Sequence, residues 1–147
     1  MSLDITLRSA TPTTKQGTGV FVRENGANVE LSVEQIKERW PDSNITAEEW
    51  TTDVVFDANI THNLNKMADE AGVYDAMWRP DEHGYAAAVD VIEALSVGLV
   101  RLLDEPDRFR AFNPSNGWGT YDLLVDTVRA YLTACVQHPT ARIEVSR

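Results

Sequence analysis

Both ends of the chain carry the same short alternation of apolar and polar residues. At the start, Leu3, Ile5 and Leu7 alternate with polar side chains. At the end, Ile143 and Val145 do the same. A period of two is typical of a strand with one buried face, and the termini of a domain often lie close together. We therefore expect the two strands in one sheet, with helices covering its apolar face.

Between these strands, the strongest pattern is a pair of long amphipathic helices. They cover residues 86–103 and residues 121–137, and Thr120 is a favourable N-cap for the second. In the first helix, one apolar stripe contains Val89, Ile92, Leu95, Leu99 and Leu102. In the second, the stripe contains Tyr121, Leu124, Val128, Leu132 and Cys135. We expect the two helices to pack on each other and on the sheet.

Shorter elements complete the pattern. Asn25-Gly26 lies between two β-rich runs and predicts a hairpin, because both residues tolerate a positive φ. Ser32 and Gln35 have the spacing of a capping box and begin a helix that Pro41 ends. The remaining predicted elements are a turn at residues 46–49, a strand at 53–60, a helix at 64–71, a short helix or turn at 73–78 and a turn at 106–112. Gly72 can close the helix at 64–71 in a left-handed cap.

The order of these elements predicts an α+β fold. A small, mainly antiparallel sheet includes both terminal strands, and three to five helices cover one of its faces. The 147 residues can bury one sizeable core, so residues 1–147 are expected to form a single domain. Within it, we expect residues 1–52 to contain the N-terminal strands and a helix, and residues 53–147 to form the core.

Charge and cysteine content argue against several classes of protein. Acidic residues outnumber basic ones by 23 to 13, and the net charge of −10 repels nucleic-acid backbones and anionic membranes. The single cysteine, Cys135, excludes an intramolecular disulfide, and no apolar run is long enough to span a membrane. The first residues lack the pattern of a signal peptide, so we expect a cytoplasmic protein.

The first candidate site lies where the predicted strand at 53–60 meets a helix. Four hydrogen-bonding side chains lie within five positions there, namely Asn59, Thr61, His62 and Asn63. Such side chains either cap the helix or bind an amide, hydroxyl or phosphate of a ligand, and a helix start also favours anions. His62 lies on the opposite side of the helix from Leu64, where it is exposed or faces another layer.

The second candidate site is the loop before the last helix. It contains Asn113 and Asn116, and Trp118 lies between Gly117 and Gly119, where the backbone can approach a ligand closely. The loop lacks the lysine and the spacing of a phosphate-binding P-loop. The alternative is an ordinary connection between helices, with the Trp side chain filling the core.

Trp78 and Arg79 form a third candidate. A Trp ring can stack on a planar ligand, and an Arg guanidinium can bind an anion through two hydrogen bonds. The alternative is a core Trp beside a surface Arg. The three histidines are scattered, so no metal site is expected, and no cofactor is implied. Cys135 lies on the apolar face of a helix and is expected to be buried rather than nucleophilic.

Four stretches of the sequence together resemble a known family. They are residues 58–68 (Ala-Asn-Ile-Thr-His-Asn-Leu-Asn-Lys-Met-Ala), residues 77–80 (Met-Trp-Arg-Pro), residues 116–119 (Asn-Gly-Trp-Gly) and residues 143–147 (Ile-Glu-Val-Ser-Arg). The family consists of small, functionally uncharacterised proteins from bacteriophage and bacterial genomes. The resemblance covers about residues 53–147, the core that carries the motifs, and implies that residues 1–52 are a variable segment. It also implies a phage-type origin, hence a location in the host cytosol, but it brings no activity with it.

Three functions remain open at this point. The first is binding of a small polar, nucleotide-like ligand, which the phage resemblance extends to a homo-oligomer that sequesters a defence signal. The second is a protein–protein adaptor or virion accessory factor with Trp40, Trp50 and Trp118 as anchors. The third is an enzyme with His62 as general acid or base, although a nucleophile, a metal and a second catalytic partner are missing.

The binding hypothesis makes a geometric prediction about the two polar segments. Each junction holds more polar side chains than a helix cap needs, and surplus buried polar groups require partners. We therefore expect His62 and its neighbours to lie close to Trp118 and its loop, with Arg79 at the border of the site.

Overall fold

The computed structural model describes residues 1–11, 14–15, 17–45, 50–51 and 53–147. The turn expected at residues 46–49 lies outside the described residues. The chain divides into two compact units. The motif unit consists of Met1–Ala10 and Val54–Arg147, and the hairpin unit consists of Thr11–Asp53.

The secondary-structure elements are numbered in chain order. The strands are β1 Ser2–Arg8, β2 Thr14–Lys15, β3 Phe21–Glu24, β4 Ala27–Glu30, β5 Trp50–Thr51, β6 Val54–Thr61 and β7 Arg142–Ser146. The α-helices are α1 Val33–Arg39, α2 Asn65–Ala71, α3 Tyr74–Trp78, α4 Ala88–Asp104, α5 Pro106–Arg110 and α6 Tyr121–Gln137. Short 3₁₀ helices occur at His62–Leu64 and Pro80–Glu82.

The sheet of the motif unit has the strand order β6-β1-β7, and both pairings are antiparallel. The two terminal strands are therefore neighbours, as the sequence predicted, with Ile5 opposite Val145 and Leu7 opposite Ile143. The alternation of β1 places Leu3, Ile5 and Leu7 in the core, where all three are fully buried. The α+β fold class with a mainly antiparallel sheet is thus confirmed.

Helices supply the rest of the core of the motif unit. Helices α4 and α6 pack on each other, and α6 also packs against β6, where the rings of Phe56 and Tyr131 stack with their centroids 5.5 Å apart. Helix α2 ends at Gly72, whose φ of 82° gives the left-handed cap expected there. No helix in the described ranges is long and apolar enough to cross a membrane.

The apolar face of α4 is rotated from the predicted one. Leu95 and Leu102 are buried as expected, but Val89 is 54% exposed and Leu99 is only partly buried. The helix instead buries Ala88, Val91 and Gly98 beside these two leucines. On α6, four of the five predicted positions are buried, and the fifth, Leu132, is partly buried.

The hairpin unit follows the local signals of its sequence. Strands β3 and β4 pair in an antiparallel hairpin, and their turn places Asn25 at φ 50° and Gly26 at φ 82°. Helix α1 begins with the expected capping box. Ser32 accepts a hydrogen bond from the Gln35 backbone N–H, and the Gln35 side chain accepts one from the Ser32 backbone.

Candidate functional site

The first polar segment forms a tight corner between β6 and α2. Thr61 ends the strand and caps the 3₁₀ turn, because its Oγ1 accepts a hydrogen bond of 3.3 Å from the Asn63 backbone N–H. The Leu64 side chain is fully buried and anchors the corner in the core. His62 and Asn63 lie between these two fixed points, so their positions follow from the fold and not from a flexible loop.

The second polar segment, residues 113–119, connects α5 to α6. Asn113 Oδ1 accepts a 2.8 Å hydrogen bond from the Tyr121 N–H, and Thr120 Oγ1 accepts one from the Leu123 N–H. Both side chains therefore cap α6, and the N–H groups of Tyr121 and Leu123 are already satisfied. Thr120 is thus the N-cap that the sequence predicted, and these two donors are not available to an anion.

The two segments meet each other directly. Asn63 Nδ2 donates a 3.3 Å hydrogen bond to the Trp118 carbonyl oxygen. Gly119 packs against the corner so closely that a Cβ at this position would lie 2.7 Å from Thr61 Cγ2 and 2.9 Å from Leu64 Cγ. Glycine is thus required for the approach, and the predicted proximity of the two segments is confirmed.

A cavity of about 670 Å³ opens where the segments meet. It is lined by Met1, Ser2, Asn59, Thr61, His62, Asn63, Asn116 and Trp118. The volume falls in the range of small-molecule sites. The Trp118 side chain is 71% exposed, so it does not fill the core, which was the alternative for this loop. His62 and Trp118 line the same cavity.

A buried tryptophan fixes the orientation of the His62 imidazole. Trp78 Nε1 donates a 2.9 Å hydrogen bond to His62 Nδ1. Because Nδ1 accepts this bond, the neutral imidazole carries its proton on Nε2, which becomes a donor. The Trp78 ring is 2% exposed and stacks on Tyr74, with the ring centroids 5.6 Å apart. Trp78 therefore positions His62, and the suggestion that its ring stacks on a ligand is wrong for this structure.

Arg79 does not line the cavity. Its guanidinium lies 3.4 Å from the Tyr74 hydroxyl and 3.3 Å from a Glu82 carboxylate oxygen. The hydrogen bond to Tyr74 and the charge of Glu82 raise the pKa of Arg79 above its ordinary value. Among the described residues that line the cavity, none is Lys or Arg. Arg79, the cation expected at the border of the site, thus contacts Tyr74 and Glu82 and is not among the described lining residues.

Asn116 and Gly117 shape the loop around Trp118. Asn116 Oδ1 accepts a 3.0 Å hydrogen bond from the Trp118 N–H, and Gly117 adopts a φ of 75°. Of this loop, Asn116 and Trp118 reach the cavity, whereas Asn113 and Gly117 do not. Met1 and Ser2 also line it; they contact the site through the pairing of β1 with β6, which local sequence patterns do not reveal.

The cysteine offers no nucleophile. Cys135 is fully buried in α6, and burial raises the pKa of its thiol to about 12, so almost no thiolate forms at neutral pH. Within the described part of the chain, no group of three or more His, Cys, Asp or Glu side chains could hold a metal ion.

Comparison with known protein families, curated proteins and solved structures finds no match for this chain. Its function is therefore argued from the geometry of the cavity.

Proposed function

We propose that the protein binds a small, polar, nucleotide-like ligand in the cavity between the two polar segments. One observation carries the proposal: the Asn59–Asn63 segment and the Asn116–Trp118 segment converge on a single cavity beside an exposed Trp ring. A planar heterocycle stacks favourably on such a ring, and neighbouring amides can bond its polar edge. The cavity combines these two kinds of contact.

The loop holds Trp118 in place although its ring remains in solvent. The Asn63 side chain donates a hydrogen bond to the Trp118 carbonyl, and the Asn116 side chain accepts one from the Trp118 N–H. Gly119 allows the chain to pack closely against the corner. Two side-chain hydrogen bonds thus fix the backbone of a residue that contributes little to the core. A preorganised aromatic surface lowers the entropic cost of binding a flat ligand.

Binding is favoured over catalysis by the state of His62. A general base needs a free lone pair on one ring nitrogen. The Nδ1 lone pair accepts the Trp78 N–H, and the Nε2 of the neutral ring bears the proton. His62 is therefore equipped to donate a hydrogen bond to a ligand, and the buried Cys135 offers no nucleophile in its place.

The biological setting of the proposal rests on the sequence resemblance alone. In a phage-type protein of the host cytosol, a nucleotide-like ligand suggests sequestration of a defence signal, and a homo-oligomer would raise the number of sites. The runner-up is an adaptor that inserts Trp118 into a partner protein. An exposed Trp suits both functions, but a polar cavity beside it suits a small molecule better.

Two measurements test the proposal. Mass spectrometry of small molecules released from the denatured, purified protein identifies a co-purified ligand, and Trp fluorescence monitors titration with nucleosides and nucleotides. We expect Trp118→Ala to abolish binding. Trp40→Ala is the matched control, because Trp40 is 50% exposed and is not among the described residues that line this cavity.

Loss of binding in both variants would argue against a specific site. The proposal fails if no small molecule is released and no member of the panel changes the fluorescence of the native protein. The adaptor function would then be preferred.

A further inference from the structure

We propose that Arg147 is a positioning residue for the ligand site, because it holds Trp78 in the place from which the indole N–H orients His62. This inference rests on the proposed function. Residues 77–80 and 143–147 are not among the described residues that line the cavity. The structure nevertheless joins these two stretches to each other and to His62 through a chain of hydrogen bonds.

The Arg147 guanidinium holds the end of α3. Its Nη1 donates a 2.9 Å hydrogen bond to the Trp78 carbonyl oxygen and a 2.7 Å hydrogen bond to Asp81 Oδ1, and its Nη2 donates to Asp81 Oδ2 at 3.2 Å. The hydrogen bond from Arg147 lowers the pKa of the Asp81 carboxyl, so the pair is charged at neutral pH. A guanidinium bound through two nitrogens to one carboxylate has little freedom to move away from the carbonyl.

The Trp78 carbonyl needs this partner because α3 ends at Trp78. In a continuing α-helix, the carbonyl would accept the N–H four residues on, but the Glu82 N–H donates to the Arg79 carbonyl instead. Pro80, two residues on, has no N–H to donate. The Arg147 side chain therefore supplies the hydrogen bond that the next turn of helix would have made.

This contact ties α3 to the sheet that carries His62. Strand β7, which directly precedes Arg147, pairs with β1, and β1 pairs with β6, which directly precedes His62. Trp78 lies on α3 instead, so the 2.9 Å distance between Trp78 Nε1 and His62 Nδ1 depends on how α3 lies relative to this sheet. Arg147 fixes that placement from the side of the sheet.

The hydrogen bond from Trp78 decides what His62 offers to a ligand. A neutral imidazole has two tautomers, and only the one with its proton on Nε2 can accept the Trp78 N–H at Nδ1. A displacement of about 1 Å takes the two nitrogens beyond hydrogen-bond distance. Both tautomers then form, and the second one turns Nε2 from a donor into an acceptor. Arg147 therefore acts on the ligand through Trp78 and His62.

The first test measures the His62 tautomer in the full chain without ligand. The ¹⁵N NMR signals of the ring nitrogens distinguish an Nδ1 that accepts from one that carries the proton. In Arg147→Gln, we expect these signals to move toward the average of the two tautomers. The side chains of Arg147 and Asp81 are 29% and 57% exposed, so their ion pair adds little stability and the variant should still fold. Arg142→Gln is the matched control and should keep the native signals, because Arg142 contacts Glu144 on the same strand.

A second variant covers the case in which Arg147→Gln does not fold. Asp81→Asn keeps the size of the side chain but removes the charge that holds the guanidinium. We expect a smaller shift of the same His62 signals. Native His62 signals in folded Arg147→Gln, or in folded Asp81→Asn where the first variant is unfolded, would overturn the inference.

The second test asks whether Arg147 acts through Trp78. The four ribonucleosides and their 5′-monophosphates are titrated by calorimetry into the native chain, Arg147→Gln, Trp78→Phe and the double variant. We expect each single variant to lower the affinity about tenfold, the usual effect of one hydrogen bond. The double variant should lose no more than about twofold beyond Trp78→Phe, because both changes break the same contact.

The outcomes separate the two claims. Losses that multiply to about a hundredfold in the double variant, or native affinity in Arg147→Gln, would overturn the inference and leave the proposed function standing. If no compound of this panel binds the native chain, the proposed function fails, and the role of Arg147 at a ligand site fails with it.

Discussion

At the scale of single residues, the site depends on one glycine more than on any polar group. Gly119 has a φ of 104°, and Thr61 and Leu64 occupy the space in which a side chain would lie. Gly117 has a φ of 75° but nothing within 4 Å of its would-be Cβ. The two glycines therefore separate the cost of backbone conformation from the cost of close packing.

This comparison gives the first prediction. Gly117→Ala should lower the free energy of unfolding by about 1–2 kcal/mol, because its only penalty is the left-handed backbone conformation. Gly119→Ala has a similar backbone penalty, and its Cβ would also force the loop away from Thr61 and Leu64. We therefore expect Gly119→Ala to lose more unfolding free energy than Gly117→Ala in urea titrations. It should also weaken ligand binding, because the loop carries Trp118. Equal losses of unfolding free energy in both variants would show that Thr61 and Leu64 move to accommodate the Cβ at little cost.

At the scale of elements, local signals predicted most of the fold. The Asn25-Gly26 hairpin, the capping box at Ser32 and the cap at Gly72 each depend on a few neighbouring residues, and all are confirmed. The proximity of the two polar segments was also predictable, because each holds more polar groups than a cap requires. For Trp78 and Arg79, the sequence offered a core Trp beside a surface Arg as the alternative, and the structure has that arrangement. The contact of Trp78 with His62, 16 positions away, was not predictable from local patterns.

In helix α4, the hydrophobic periodicity alone does not decide which face is buried. Two overlapping apolar stripes share Leu95 and Leu102, and both have helical spacing. The fold selects the stripe that contains Gly98, because Val73 Cγ1 occupies the space that a Cβ on Gly98 would need. A small residue thus decides the packing, while the hydrophobic pattern favoured the larger side chains.

The second prediction follows from this rotated face. Leu95 is fully buried, so Leu95→Ala should cost about 2–5 kcal/mol of unfolding free energy. Leu99 is partly buried, and Leu99→Ala removes fewer contacts and leaves a site open to water. We expect it to cost less than half as much in the same denaturant titration. A loss at Leu99 as large as the loss at Leu95 would mean that the predicted stripe, and not the rotated one, faces the core.

At the scale of the whole molecule, a strongly acidic segment of the chain also exposes a stripe of apolar side chains. Residues 53–112 carry twelve acidic and five basic side chains, which should favour a solvated outer surface. Yet the outer side of α4 exposes Val89, Val97, Val100 and Leu103, each by nearly half or more. At 100° per residue, these four positions fall within one third of the helix circumference and extend over almost its full length.

The last prediction concerns what covers this stripe. We expect a second copy of the chain to cover it, because two α4 helices related by a two-fold axis perpendicular to them would run antiparallel and place Val89 of one protomer opposite Leu103 of the other. Such pairing extends over roughly 25 Å of helix, the length of 17 residues. We therefore expect a homodimer in sedimentation equilibrium, consistent with a homo-oligomeric ligand-binding protein.

The double variant Val97→Glu, Val100→Glu should be a folded monomer, because it places four like charges across the two-fold axis. Val136→Glu is the control, since Val136 is equally exposed but lies on α6. If the native chain sediments as a monomer at every concentration, or if the control dissociates as readily as the double variant, α4 is not the interface. Ligand affinity should persist in the monomer, because none of the described residues that line the cavity lies on α4.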